Sequence, residues 1–396
     1  SHENLDHADK VVNKFVTEIG KEGGPLSLYP GTQELRKTLL NMGRRYYEEM
    51  IEENPGARLS PRLAEASFQL AFVLAQVSGD RDKATKSYER ALDLYNQLVE
   101  RDPTALHYRA DLAATYNNLG TRYLDRGRTT DSRHAYQQAM RILDSLVAKF
   151  PENSAYQNEL ASCLHNLSHL DSVTGRAAQA LTALRRARDL HEKLIGAHPN
   201  VEQYRSDLAA TYHSIAQQLS SKSESKAALN AHIKSLRMLE SLAKRRPADS
   251  EYQNRLAAGL SSIGAFYRNI GKTADAKASY ERALSIREKL ARDNPRVIQY
   301  QTRLASSHYR FGVHHFETGD RESAKSSFQA ALNMQTELAS KNPTQIDCAT
   351  ALALTQSALS LVYYSEGQYR VALGGLKQAL ESQRAVASAH PKVPQL

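Results

Sequence analysis

Three histidines are the side chains whose types and spacing suit chemistry. His165 and His169 stand four residues apart, so on a helix they project from one side, and His213 follows His165 by 48 residues. Two imidazoles one turn apart with a third alongside make the donor set of a transition-metal trap. No carboxylate accompanies them at a fixed spacing, and neutral imidazoles serve equally as polar lining of a groove or as incidental surface groups. The expected site therefore holds no metal and no cofactor, with this trio as the candidate if one binds.

Other chemistries are excluded by their missing parts. The chain has no glycine loop that would cradle a phosphate, no Cys-x-x-Cys pair, and no Ser, His and Asp set in a known context, so neither a kinase active site nor another enzyme is expected. The two cysteines, Cys163 and Cys348, fall where other repeats put core residues and read as small buried thiols. A net charge of +9 and a pI near 9.3 raise the question of nucleic acid. Acids and bases alternate along most of the chain, however, and the dense basic groups are local: Arg185, Arg186 and Arg188, then Lys244, Arg245 and Arg246. A solvated outer face explains them, and nucleic acid is not the expected partner. No apolar run reaches the roughly 20 residues that span a membrane, and the first residues carry no signal-peptide pattern.

The elements that must position these residues follow from one period. Prolines recur every 48 residues at Pro55, Pro103, Pro151, Pro199, Pro247, Pro295, Pro343 and Pro391, which marks an array of like units. Five residues after the proline stands an aromatic, as in Tyr108, Tyr156, Tyr204, Tyr252 and Tyr300. Nine and ten residues after it comes a Leu-Ala pair, from Leu112-Ala113 to Leu352-Ala353. A large residue then precedes a small one, as in Leu119-Gly120, Ile263-Gly264 and Phe311-Gly312. These steps of three and four describe one face of a helix, helix A of each unit. Gly79, Gly127, Gly175, Gly271, Gly319 and Gly367, with Ser223 as the one substitute, mark its stop. A second periodic segment, helix B, sets small residues such as Ala84 and Ala91 around Tyr88, Tyr136, Tyr280 or Phe328, so that two helices interlock closely.

This order of bulky, Leu-Gly and Tyr residues in helix A, then Ala, Tyr and Ala in helix B, resembles the tetratricopeptide repeat. That family repeats every 34 residues. Here each helix is longer by about seven residues, close to two turns, which keeps the buried face in phase. The resemblance implies an all-α, right-handed solenoid of antiparallel helix pairs with helices of about 20 residues. Seven units span 55–102, 103–150, 151–198, 199–246, 247–294, 295–342 and 343–390, and residues 391–396 form a tail. Ser60-Pro61 starts the first helix A late. Residues 1–54 read as a capping helix pair, with Leu5 to Ile19 as one helix presenting Val11, Val12, Phe15 and Ile19. Leu35, Leu39, Leu40, Tyr46, Tyr47, Met50 and Ile51 then mark the second.

The resemblance also implies that helix A lines the concave wall on which such arrays bind. The positions between core marks include Asn117, Thr121, His165, His169, His213, Gln217, Arg268, Tyr309, Phe316 and Tyr364. Tyr309, Phe316 and Tyr364 serve either as peptide anchors or as packing against the next unit. The wall lacks the Lys and Asn pattern with which some members clamp a C-terminal carboxylate. A second resemblance lies in Leu35-Arg36-Lys37-Thr38-Leu39-Leu40 and Arg45-Tyr46-Tyr47, after Pro30-Gly31. These are similar to the start of the helical C-terminal region of bacterial transmembrane Ser/Thr kinases, with Ala8 to Lys21 matching the amphipathic stretch there. That resemblance implies a partner-recognising, sensor-like region outside a catalytic domain, periplasmic if it follows a membrane helix and cytoplasmic otherwise. The expected function is a non-catalytic protein- or peptide-binding scaffold. The alternatives are a stand-alone cytosolic adaptor that self-associates and a helical-repeat nucleic-acid binder.

Overall fold

A computed structural model describes residues 11–19, 33–52, 60–77, 81–221, 224–341 and 346–389. The described residues are helical and turn residues only, without a strand. Helix α1 covers 11–19 and α2 covers Gln33–Glu52. The repeats then supply α3 (Pro61–Val77), α4 (Arg81–Arg101), α5 (Leu106–Leu124), α6 (Thr129–Lys149), α7 (Ser154–Val173), α8 (Ala177–Ala197), α9 (Glu202–Ser221) and α10 (Ser225–Arg245). They continue with α11 (Ser250–Asn269), α12 (Thr273–Asp293), α13 (Ile298–Glu317), α14 (Arg321–Lys341), α15 (Ile346–Ser365) and α16 (Tyr369–Ala389). Odd-numbered helices from α3 onward are the A helices and even-numbered ones the B helices. The chain is an all-α solenoid of helix pairs, and it divides into two compact units, one up to Arg245 and one from Arg246.

Local chemistry sets the helix bounds. Asn153 accepts hydrogen bonds from the N–H groups of Ala155 and Tyr156 at 3.0 and 3.2 Å, and Asp249 does the same for Glu251 and Tyr252. Each satisfies first-turn donors that have no partner within the helix. At the A-to-B turns Gly127, Gly175, Gly271, Gly319 and Gly367 take positive φ between 71 and 84°, a conformation that costs a side chain its Cβ contacts. The expected turns at Gly31, Gly79 and Ser223 lie outside the described residues, as do the expected tail at 391–396 and the loop from Gly20 to Thr32. Helix α3 begins at Pro61 as expected, its first turn closed by bonds from Leu63 N and Ala64 N to Ser60 O.

The hairpins close through a fit of small against aromatic. A Cβ added at Gly120 would lie 2.7 Å from the Tyr136 ring, and one at Gly312 would lie 2.7 Å from Phe328. Those rings are all but fully buried. The absent methyl is what lets the two helices of a unit approach. Cys163 and Cys348 are buried free thiols, and burial pushes the Cys163 thiol up.

Two expectations about the N-terminal pair need correction. Val11 and Phe15 are half exposed, and the buried stripe of α1 is Val12, Val16 and Ile19, which packs with Leu40, Tyr47 and Met50 against α3. Helical spacing alone allowed either neighbouring stripe. Tyr47 fixes the choice, because its hydroxyl donates to Asn13 Oδ1 at 2.7 Å and so turns Asn13 inward. Leu35 is also exposed. Residues Leu5 to Lys10 lie outside the described residues.

At the other end, α16 leaves Leu373, Leu376 and Leu380 exposed along one helix face. Leu376 stands where the earlier units carry Tyr280 and Phe328. In those units the ring is enclosed by the following helix A, as when Tyr280 meets Phe311 and His314 of α13.

Candidate functional site

A pocket opens on the A helices of each compact unit. In the unit up to Arg245 the pocket has a volume of about 240 Å³ and lies between α5, α7 and α9. Its lining includes Thr121, Asp125, His165, Asn166, His169, Ser214 and Gln217. Four expected residues, Thr121, His165, His169 and Gln217, are thus brought together from three consecutive repeats. Like offsets in successive units lie side by side, so a 48-residue period becomes a row across the wall.

The geometry holds these groups by polar bonds between repeats. His165 Nε2 lies 2.9 Å from Ser214 Oγ on the next A helix. Asn166 Nδ2 donates to Asn117 Oδ1 at 3.0 Å. Asn117 is itself buried, so it joins α5 to α7 and is not open lining. His213 is not in the pocket either; its ring lies 6.1 Å from that of His232 on α10. Among the described residues no group of three His, Cys, Asp or Glu side chains is placed to hold a metal.

Burial dominates the electrostatics of this wall. Loss of solvent pushes His165 down to about 4, helped by His169 and His213, and pushes His191 and His232 down to about 4 as well. His213 is lowered by the same cause. The four are therefore neutral imidazoles at neutral pH. Beside them runs a row of acids eight residues past each proline: Asp111, Glu159 and Asp207. Burial, then Glu65 and Glu159, push Asp111 up to about 7, and burial with Asp207 raises Glu159. Along this wall burial works against charge on acids and imidazoles alike. The main buried charge pair is elsewhere, where Arg133 of α6 meets Asp171 of α7 at 2.6 Å.

The pocket of the second unit is larger, about 550 Å³, and different in kind. It is formed by α13 with α11, α14 and α15. Thr302, Ser306, Tyr309, Arg310, Val313 and Glu317 line it along a single face of α13, and Arg268, Gln335, Leu338, Cys348, Ala351 and Leu354 complete it. The expected residues Arg268 and Tyr309 are here. Arg268 pairs with Glu317 at 3.4 Å, and the Tyr309 ring leans on Phe328 at 5.7 Å. Gln335 is buried, with its Oε1 accepting no hydrogen bond.

Two expected aromatic anchors are placed otherwise. Phe316 packs into the core around Phe328, Leu359 and Val362, because its position on α13 turns it toward the α14–α15 contact. Tyr364 is exposed but lies outside the pocket, edge-on to Tyr369 at 5.3 Å. The basic groups at 185–188 and 244–246 are mostly solvent-exposed, and Arg186 and Arg188 pair with Asp144 and Asp189.

Three residues of the second wall lay outside the sequence expectation: Arg303, Arg310 and the buried Arg287. A signal for them existed. The position eight past the proline reads Asp111, Glu159, Asp207, then Arg255 and Arg303, a reversal of sign at one repeat position. No helix among the described residues is long and apolar enough to cross a membrane.

The tetratricopeptide repeat family model matches residues 112–143, 160–200 and 256–296. Among solved structures, the apo form of RapI is similar at 13% identity and a TM-score of 0.52, over 94% of this chain and 99% of that one. BtubC from P. vanneervenii is similar at 16% identity and a TM-score of 0.51, over 65% of this chain and 92% of that one. A signal transduction ATPase with numerous domains from Pyrococcus horikoshii, which has a tetratricopeptide repeat sensor, matches at 14% identity and a TM-score of 0.52. That match takes in 91% of this chain and 48% of the other. At such identities the likeness speaks for the fold.

Tetratricopeptide repeat sequence is thus matched over three stretches of the chain, and proteins built on such repeats generally act as scaffolds for protein interaction.

Proposed function

We propose that this chain is a non-catalytic scaffold that seats a protein or peptide partner on the A-helix faces of its repeats. The observation that carries this reading is the α13 pocket. It is open and preformed, and it sets hydroxyls, arginines and apolar side chains on one wall without any catalytic arrangement. A preformed wall loses little conformational entropy when it is occupied. Residues 1–54 serve as its cap and the seven 48-residue repeats as its length.

Within this reading the finer role is partner recognition beside a kinase catalytic domain. It rests on the Leu35 to Tyr47 segment, which lies within helix α2. The full-length gene tests it: kinase motifs and a membrane helix upstream support the role, and their absence removes it in favour of a stand-alone adaptor.

The scaffold reading is tested by affinity capture with two variants. Ser306→Trp fills the α13 pocket, and Gln329→Trp burdens the exposed face of α14. A partner that is lost with the first and kept with the second supports the reading. A partner kept by both, or lost only with the second, overturns it.

A further inference from the structure

Three arginines, Arg287, Arg303 and Arg310, meet at the α12–α13 contact beside the α13 pocket. Arg287 of α12 is only 7% exposed. Its Nη1 donates to the Arg303 backbone oxygen at 3.3 Å and to Ser307 Oγ, and its Nε has no acceptor. Arg303 and Arg310 stand two turns apart on α13, both exposed, and neither forms an ion pair among the described residues. Of the acids nearby, Glu317 pairs with Arg268 at 3.4 Å and Glu251 with Arg255 at 3.1 Å, buried Asp249 caps α11 through Oδ1, and Glu288 faces His308. Burial, then Arg303 and Arg310, push Arg287 down to about 10. Like charges gathered on one contact set up a positive potential that favours an anion there.

The surroundings narrow the anion. Arg310 opens onto apolar side chains, Val313, Leu338 and Leu354, and on the same wall Gln335 offers a buried carbonyl oxygen that lacks a donor. A guanidinium fork matches a carboxylate, the apolar side chains match an aliphatic one, and an amide N–H satisfies a carbonyl oxygen. A nucleic-acid strand suits this wall less well. Its bases want open aromatic faces for stacking, and Tyr309 is half-buried against Phe328.

We propose that the α12–α13 arginines and the adjoining pocket recognise a peptide segment that carries an Asp or Glu side chain next to an aliphatic residue. The proposal rests on the scaffold reading and deepens it. Arg310, aided by Arg303, takes the carboxylate; Val313, Leu338 and Leu354 take the aliphatic side chain; Gln335 accepts a backbone N–H. Arg287 is a positioning residue that stiffens α13 from behind through Ser307 and the Arg303 carbonyl.

The test is selection of a random dodecapeptide display library on the full chain, followed by fluorescence anisotropy of the enriched peptides. The proposal expects acidic–aliphatic sequences. Affinity should fall on the order of tenfold in Arg310→Gln and further in Arg303→Glu/Arg310→Glu. It should also weaken several-fold as salt rises from about 0.05 to about 0.5 M. Both arginines are exposed, and circular-dichroism melts no lower than that of the wild type confirm that the variants fold. Neutral or basic peptides that ignore these variants but are lost in Leu354→Asp overturn the acidic assignment while the scaffold reading stands. No enrichment over the Arg303→Glu/Arg310→Glu/Leu354→Asp variant overturns both. A labelled single-stranded RNA that binds the wild type and is lost in the arginine variants, with no acidic peptide enriched, assigns the cluster to nucleic acid and overturns the peptide proposal.

Discussion

The two compact units use one core and build two different walls on it. Both set a Leu-Ala pair, a small residue and a buried aromatic at the same repeat positions, as with Gly120 against Tyr136 in one and Gly312 against Phe328 in the other. Eight residues past the proline they diverge, with Asp111, Glu159 and Asp207 in the first unit and Arg255 and Arg303 in the second. The first wall encloses about 240 Å³ among imidazoles and amides, and the second about 550 Å³ among arginines, hydroxyls and aliphatics. Packing therefore leaves the wall chemistry free. The same holds forty residues past the proline, where helix B faces the next helix A. Tyr95, Leu143, His191, Leu239, Arg287 and Gln335 share that position, and in His191, Arg287 and Gln335 a buried polar atom has no partner.

The shared core is the easiest half of this comparison to break. Gly120→Val and Gly312→Val each drive a branched side chain into an aromatic ring, and each should cost about 3 kcal/mol of stability in urea unfolding. Comparable losses at the two sites mean one core design; a tolerated Gly312→Val would mean that the second unit packs differently.

Asp111→Asn sharpens the acidic wall. The folded-state pKa of Asp111 is pushed up to about 7, above its value in an unfolded chain, so the native state holds a proton that the unfolded chain has released. Stability from this group grows as pH falls from about 7 toward 4, and its charge is a burden above 7. The variant should gain about 2 kcal/mol at pH 8, with solvent screening allowed for, and nothing at pH 4. A gain independent of pH would contradict the assignment.

His191→Leu tests the neighbouring imidazoles, with the opposite sign. The folded-state pKa of His191 is pushed down to about 4, below the usual histidine value, so its contribution is intact above about 6.5 and is lost as pH falls toward 4. Leucine already occupies this position at Leu143 and Leu239. The variant should match the wild type near pH 7 and exceed it by about 1 kcal/mol at pH 5, read from thermal melts at both pH values. Equal acid sensitivity would show that His191 is not the group that titrates.

What was legible in the sequence follows from what repetition encodes. The period located the helices and glycine turns because each unit must satisfy the same packing, and five of the expected glycines adopt positive φ. The row of Thr121, His169 and Gln217 was legible for the same reason, since all three share one offset from their prolines, and His165 joins them from one turn earlier on α7. The errors arise where repetition stops informing. Helix α1 lacks the marks of the 48-residue repeat, so spacing alone turns Val11 and Phe15 inward, whereas Val16 takes the core. Phe316 shares a helix with Tyr309 but faces the next hairpin. The arginine cluster escaped because its deepest member, Arg287, sits on helix B, and its charge merged into the mixed charge of the outer faces. Only the pairing of that position with Ser307 of the next A helix exposes it.

The central claim is that partners seat on the A-helix faces, and site-directed photo-crosslinking tests it most directly. A photoreactive phenylalanine analogue would be placed at Ser306 on α13 or at Gln329 on α14, and each protein exposed to a display-selected peptide. The account predicts a peptide adduct at Ser306 and none at Gln329. An adduct at Gln329 alone, or equal adducts at both, would contradict it.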